Sequence, residues 1–247
     1  MATEDAYDRD GLRTIHNHEF MNDSAFQAAY ARGVKATGMD YAWEWRFHVG
    51  LWAATCASRL QGDFVECGVA KGFLSSAIMH YLNWDVTGRT FFLLDTFAGI
   101  DERYVTAVEL QEGARERNQH FIEIGLYPTA AEPVIRNFAE WKNAKVIIGP
   151  VPETLDQVTA TRIAYLHLDM NCAPPEIAAV TTFWERLVAG APILLDDYAY
   201  CGYRQQKLAM DEFAASKNVK VVSLPTGQGL MLKPPDSKRR FLRLFGR

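Results

Sequence analysis

The sequence predicts a Rossmann-like α/β domain on a seven-stranded, mostly parallel sheet with helices on both faces, preceded by an N-terminal helical cap. Three observations carry this expectation. From Gly62 onward short apolar runs alternate with longer amphipathic segments, as successive strand–helix units around a parallel sheet require. A glycine-punctuated loop, Glu66-Cys-Gly68-Val-Ala-Lys-Gly72, follows the first of those runs and opens a helix. The chain of 247 residues, 49% of them apolar, can bury one sizeable core, which favours one domain with an extension over two domains.

The elements follow in order. Residues 1–60 are rich in Ala, aromatic and charged groups, and apolar residues recur at helical spacing from Tyr41 to Leu60, which predicts a helical cap over a pocket. Within the main domain, residues 61–235, strands are expected at Phe64–Val69, Thr90–Asp95, Lys145–Ile148, Ile163–Asp169, Ala191–Asp197, Val219–Ser223 and Leu230–Leu232. Helices are expected at Phe73–Leu82, Pro174–Val188 and Tyr203–Lys217. Only Leu224–Gly229 separates the last two strands, too short for a crossover helix, so they form an antiparallel hairpin. The polar, weakly periodic stretch Ala98–Ala131 follows the second strand on the ligand side of such sheets and reads as a lid or specificity insertion. Residues 236–247 form a basic tail that alternates Lys or Arg with apolar groups; it reads as a solvated end, or as a peripheral contact with an anionic membrane or partner.

The glycine loop carries the first functional signal. Gly68 and Gly72 stand where the backbone turns sharply beneath a ligand. The spacing ExGxxxG departs from the GxGxxG dinucleotide fingerprint, and an acid at the strand end repels a pyrophosphate but pairs with an ammonium. S-adenosylmethionine, with an amino-acid end and no phosphate, fits that pattern. Asp95 closes the next strand, where a carboxylate can accept hydrogen bonds from both ribose hydroxyls. Thr96, Phe97 and Gly99 continue that loop toward the sugar or adenine, and Gly149 ends a third strand at the adenine edge; plain turns explain the glycines equally well.

The second signal is a set of carboxylates at the C-terminal edge of the sheet. Asp169 ends one strand and Asp196-Asp197 end the next. Three negative groups so close call for a shared cation, and hard oxygen ligands suit Mg²⁺, which can hold an acceptor hydroxyl and lower its pKa. Asp169 then doubles as the general base. His167, two residues earlier on the same strand face, is a weaker candidate for base or metal ligand, against a structural role in its apolar run. Any one of these acids alone reads as a helix N-cap or loop residue; their coincidence on adjacent strands favours a site. Tyr198, Tyr200 and Tyr203 follow the paired acids and can stack on a sugar, whereas Trp184 reads as core.

Composition limits the partners. The net charge of −4 gives no general attraction to a phosphate backbone, which argues against nucleic acid. Cys56, Cys67, Cys172 and Cys201 show no CxxC spacing, no signal-peptide pattern precedes them, and no stretch approaches the roughly 18 apolar residues that cross a bilayer. A cytoplasmic enzyme with reduced thiols is the expectation, with a homo-oligomer left open.

Taken together, Asp63-Phe-Val-Glu-Cys-Gly-Val-Ala-Lys-Gly72, Leu94-Asp-Thr-Phe-Ala-Gly99, Leu168-Asp169, Leu194-Leu-Asp-Asp-Tyr198 followed by Gly202, and Asp211-Glu-Phe213 resemble the TylF-type macrocin O-methyltransferase family. The resemblance runs from about Gly62 to Leu232. It implies the class I methyltransferase fold, methylation of sugar hydroxyls in antibiotic and glycan biosynthesis, and a small-molecule or glycan acceptor. It also implies S-adenosylmethionine bound by Glu66, Gly68, Gly72 and Asp95, Mg²⁺ held by Asp169, Asp196 and Asp197, and Asp169 as the favoured base. Where the family commonly reads LDxDxY, this chain reads Leu168-Asp-Met-Asn171-Cys-Ala-Pro174, so the second acid is Asn171 and the Tyr is absent. Two other readings compete: a nicotinamide-dependent dehydrogenase, since a strand-end acid also serves an NAD ribose, and a non-catalytic methyltransferase-like binding subunit in which Asn171 marks lost activity.

Overall fold

Strand and helix alternate from residue 63 onward as the hydrophobic pattern requires, in a computed structural model that describes residues 6–235. The basic tail expected at 236–247 lies outside the described residues.

The cap is where the structure adds most. It opens with a two-stranded antiparallel hairpin, β1 (Tyr7–Arg9) and β2 (Leu12–Thr14), turned through Asp10-Gly11, both at positive φ. The expectation had been helix throughout; three-residue strands are too short to show an alternation. Helix α1 (Ser24–Thr37) follows, N-capped by Asp23, whose carboxylate accepts from the Phe26 N–H, and closed by left-handed Gly38. Helix α2 (Glu44–Ser58) is apolar on nearly all sides, so it runs buried between α1 and the sheet.

Then come β3 (Asp63–Cys67), α3 (Phe73–Tyr81) and β4 (Phe91–Asp95). The stretch 98–131 is less irregular than its polarity suggests: it holds α4 (Ala107–Gln111), opened by a Thr106/Glu109 capping box, and α5 (Ala114–Glu123). Helix α6 (Glu132–Phe138) and strand β5 (Ala144–Ile148) lead to β6 (Ile163–Leu168) and α7 (Ala173–Phe183). The chain closes with β7 (Pro192–Leu195), α8 (Arg204–Ser216), β8 (Val222–Ser223) and β9 (Gly229–Leu232). Helix α7 stops five residues before the expected Val188.

The sheet order is β5-β4-β3-β6-β7-β9-β8. Every neighbouring pair is parallel except those made by β9, which runs antiparallel to β7 and β8. The closing hairpin therefore forms as expected, with its second strand inserted between β7 and β8. Period-two alternation sends Val65, Cys67, Leu166 and Leu168 into the core beneath α7 and α8, and Phe64 and Tyr165 into the core beneath α1, α2 and α3. The strand order reverses between β3 and β6, and the crevice at their C-terminal ends is where such sheets bind ligands.

Candidate active site

The glycine loop folds under two constraints that only glycine meets. Gly68 has φ +90°, and a Cβ there would lie 1.8 Å from the Asp169 carbonyl oxygen. Gly72 has φ +81° and a Cβ there would meet the Phe138 ring at 2.6 Å. The loop thus passes flat against the end of β6 and turns into α3.

Asp95 fastens that loop. Its Oδ2 accepts the Val69 and Ala70 N–H groups at 2.7 Å each, and its Oδ1 accepts the Phe97 N–H at 2.7 Å. A carboxylate has about four acceptor sites, so three are spent on backbone. Thr96 Oγ1 donates to the Gly99 carbonyl at 2.6 Å and shapes the following turn. Burial raises the Asp95 pKa while those amides oppose the rise. Asp95, Thr96, Gly99 and Gly149 line one cavity with Tyr104, Pro128 and Met170.

A second cavity lies on the cap side of the loop. Its walls are Tyr41, Trp43 and Phe47 from the cap, Phe73 and Leu74 from α3, Phe121, Leu126 and Tyr127 from the lid segment, and Tyr200 and Tyr203. Its floor carries Glu66, Asp169, Asn171, Asp196 and Asp197. The two cavities share Gly68, Ala70, Tyr127, Asp169 and Asn171, so they meet at the ends of β3 and β6. Of the three tyrosines after the paired acids, Tyr200 and Tyr203 face this space. Tyr198 does not: its hydroxyl engages Asp211 and Lys207. Trp184 is buried against Phe213, in the core.

The strand register assembles the charged floor. Glu66 pairs with His167 across β3 and β6, so both side chains leave the same face, and Glu66 Oε1 lies 2.9 Å from His167 Nδ1. His167 Nε2 lies 3.6 Å from Asp196 Oδ1. Burial alone would lower the His167 pKa, but Asp196 and Glu66 outweigh it and push it up to about 10. That direction favours the charged imidazole between the two acids and speaks against it as a general base.

Arg46, in α2, is a residue the sequence reading passed over. Its Nη1 donates to Asp196 Oδ2 at 2.5 Å and to the Asp196 carbonyl at 3.0 Å, and its Nε donates to Asp10 Oδ2 at 3.2 Å. The guanidinium lies over the Tyr200 ring at 4.7 Å and the Trp43 ring at 5.2 Å. Gln228 Nε2 donates to the other Asp196 oxygen at 2.8 Å. Burial opposes ionisation of Asp196, yet the guanidinium wins and holds its carboxyl well below the usual range. A lone arginine inside the apolar run 43–57 was the available signal. The cation that Asp196 was expected to need is supplied by the protein.

Asp169 and Asp197 differ from Asp196. Asp169 Oδ1 accepts only the Asn171 side-chain amide, at 3.1 Å, and neither Asp169 nor Asp197 has an ion pair among the described residues. Burial, then the charges of Asp196 and Asp197, raise the Asp169 pKa well above normal; burial and Asp196 raise Asp197 to about 7. His167, Asp169 and Asp196 bring one ligand atom each within 4.8 Å of one another. Both Asp196 oxygens and His167 Nδ1 are engaged, whereas His167 Nε2 has no hydrogen-bond partner among the described residues, so the atoms left to fit a divalent cation are that nitrogen and the Asp169 and Asp197 carboxylates, beside the Asn171 amide.

The order of strands, with β9 reversed between β7 and β8, and a glycine loop at the β3–β6 crevice define a Rossmann-like class I methyltransferase fold. Solved structures share it: the O-methyltransferase NovP superposes with a TM-score of 0.64 at 20% identity, covering 76% of this chain and 79% of that one. The calicheamicin methyltransferase CalS11 superposes at 0.54 and 15% identity, covering 75% and 77%. Within that class, the macrocin O-methyltransferase (TylF) family model matches residues 51–223. The chain belongs to that family. A relative, the demethyldecarbamoylnovobiocin O-methyltransferase of Streptomyces niveus, is 25% identical over 167 residues, 66% of this chain and 62% of its own length. The chain thus spans less than two thirds of that relative. Among the described residues, no helix is long and apolar enough to cross a membrane.

Proposed function

We propose that this chain transfers a methyl group from S-adenosylmethionine to a hydroxyl oxygen of a sugar or natural-product precursor. The observation that carries the reading is the meeting of two cavities at Gly68, Ala70, Tyr127, Asp169 and Asn171: one suits an adenosine, and the other ends on carboxylates beside aromatic walls. The relatives named above act on natural products by their names, and the family takes its name from macrocin.

The residues fit the donor. Glu66 is buried with Oε2 lacking any partner, an orphan acceptor suited to the donor's ammonium. Asp95 retains about one acceptor site beyond its three amides, so it holds one ribose hydroxyl rather than the pair anticipated from its position. Gly68 lets the loop pass beneath the methionine stretch, Gly72 lines neither cavity and serves the turn into α3 against Phe138, and Thr96 and Gly149 border the adenosine end. When bound, S-adenosylmethionine supplies the methyl group from its sulfonium and leaves as S-adenosylhomocysteine.

Asp169 is the proton acceptor. It stands at the junction of the cavities with the Asn171 side-chain amide as its hydrogen-bond partner among the described residues, and takes the acceptor's hydroxyl proton as the new oxygen–carbon bond forms and the carbon–sulfur bond breaks. His167, set between two acids, and Asp196, locked to Arg46, hold the floor in place. A Mg²⁺ ion, if the protein uses one, is held by Asp169 and Asp197 and lowers the pKa of a bound hydroxyl. A dehydrogenase reading is disfavoured, since a pyrophosphate would meet the Glu66 carboxylate at the loop.

Thermal unfolding with S-adenosylhomocysteine, NADH and Mg²⁺, singly and paired, tests the reading, because a ligand of the native state raises the midpoint. The expected result is stabilisation by S-adenosylhomocysteine, lost in Asp95→Ala. Stabilisation by NADH alone would overturn it.

A further inference from the structure

The sequence left residues 98–131 as a lid without an assigned role, and one side chain in it ends at the centre of the site. Tyr127 follows α5, in a turn where the Leu126 and Tyr127 N–H groups both donate to the Phe121 carbonyl, at 2.8 and 3.1 Å. Its ring packs edge-on against Phe121 with centroids 5.3 Å apart. The side chain is thus held from both backbone and ring. It lines both cavities, together with Gly68, Ala70, Asp169 and Asn171. Its hydroxyl is buried and makes no hydrogen bond.

A buried hydroxyl without a partner is uncommon and costly to keep. Burial first, then Tyr203, Asp169, Asp197 and Asp95, push its pKa far above the usual phenol value, so the hydroxyl stays neutral and keeps a free oxygen lone pair. It lines the first cavity together with Asp95, the expected ribose carboxylate, and Asp169, the expected proton acceptor, the two ends between which a transferring methyl group must lie.

We propose that Tyr127 is the lid's contact to the transferring methyl group, its hydroxyl oxygen accepting polarised hydrogens from the methyl carbon of the sulfonium. This rests on the donor-site reading above. Such carbon–hydrogen contacts are weak for ordinary carbons, but a sulfonium methyl carries positive charge and the Tyr127 hydroxyl is itself buried. The phenol thereby recognises the charged donor and not the neutral product, which favours exchange of product for fresh donor.

The test needs no acceptor. Titration calorimetry measures binding of S-adenosylhomocysteine and of sinefungin, in which a carbon bearing a protonated amine replaces the sulfonium and its methyl. Wild type is compared with Tyr127→Phe and, as a check on packing, Tyr127→Leu, each shown folded by its thermal midpoint. A hydrogen bond to a charged group being lost, Tyr127→Phe should weaken sinefungin about tenfold while S-adenosylhomocysteine stays within about twofold. Tyr127→Leu should weaken sinefungin at least as much. Equal loss for both ligands in Tyr127→Phe, or no loss for either, overturns the role of Tyr127 while leaving the donor site standing. Wild type that binds neither ligand overturns the donor site, and the role of Tyr127 with it.

Discussion

Replacing Arg46 with methionine asks whether the guanidinium is the cation on which the carboxylate floor is built. The change preserves length and apolar contact with Trp43 and Tyr200 but removes donors to Asp196, Asp10 and the Thr226 carbonyl. Asp196 would be left with the Gln228 donor and the His167 imidazole 3.6 Å away, beside Asp169 and Asp197. Truncating one partner of a buried ion pair costs about 3–5 kcal/mol, because the other charge stays buried without compensation. For a chain of this size that corresponds to a midpoint lowered by roughly 6–20 °C. Thermal and urea unfolding of Arg46→Met, Asp196→Asn and the double variant give the cycle. The double variant should be more stable than the sum of the singles implies, by at least about 1 kcal/mol, because the orphaned charge is gone. A single-variant loss under about 1 kcal/mol, or strict additivity, would refute the assignment of Arg46 as the resident cation.

Two further outcomes follow from the geometry. Gly68→Ala should cost more than about 2 kcal/mol and abolish binding of S-adenosylhomocysteine, because its Cβ would collide with the Asp169 carbonyl at a φ that L residues rarely adopt; a folded variant with unchanged affinity by calorimetry would count against the loop as the donor site. Glu176, buried in the first turn of α7, accepts from the Met170 N–H and from Gln206, and burial raises its pKa to about 8. Its folded value lies above its unfolded one, so its contribution is full below about pH 4.5 and is lost as pH rises through about 8, by on the order of a few kcal/mol. Glu176→Gln should flatten that decline in urea midpoints taken at pH 5.5 and 8.5, and parallel declines in both proteins would dismiss Glu176 as its source.

What the sequence made legible was whatever local chemistry dictates. Glycine positions at the β3–α3 turn, strand-end acids and the period-two runs follow from backbone sterics and burial, and Glu66, Gly68, Asp95, Asp169, Asp196 and Asp197 line the two adjoining cavities, whereas Gly72 packs against Phe138. Partnerships across long separations were not legible. Nothing near Asp196 in the chain announces Arg46, 150 residues away, nor does Asp95 reveal that its oxygens are engaged by the backbone of the loop at 69–70. The β1–β2 hairpin escaped because three-residue strands carry no period, although Asp10-Gly11 is a turn signal. The Glu66–His167 pair was within reach: once the two strands are taken as parallel neighbours, only the register was missing.

The arrangement of charge then separates the roles of three carboxylates that look interchangeable in the sequence. They share one sheet edge and cannot all ionise at equal cost in a buried site. Arg46 and His167 both lean toward Asp196, and it alone is driven below the normal range. Its ionisation in turn lifts Asp197 and Asp169. One acid permanently charged and another made basic by it is how proton-transfer sites divide labour. On this argument the cap helix α2 does more than roof the cavity. By fixing the charge on Asp196 it adds to the burial that raises the pKa of Asp169, the residue at the junction of the cavities, even though Asn171 stands where the family pattern carries a second acid.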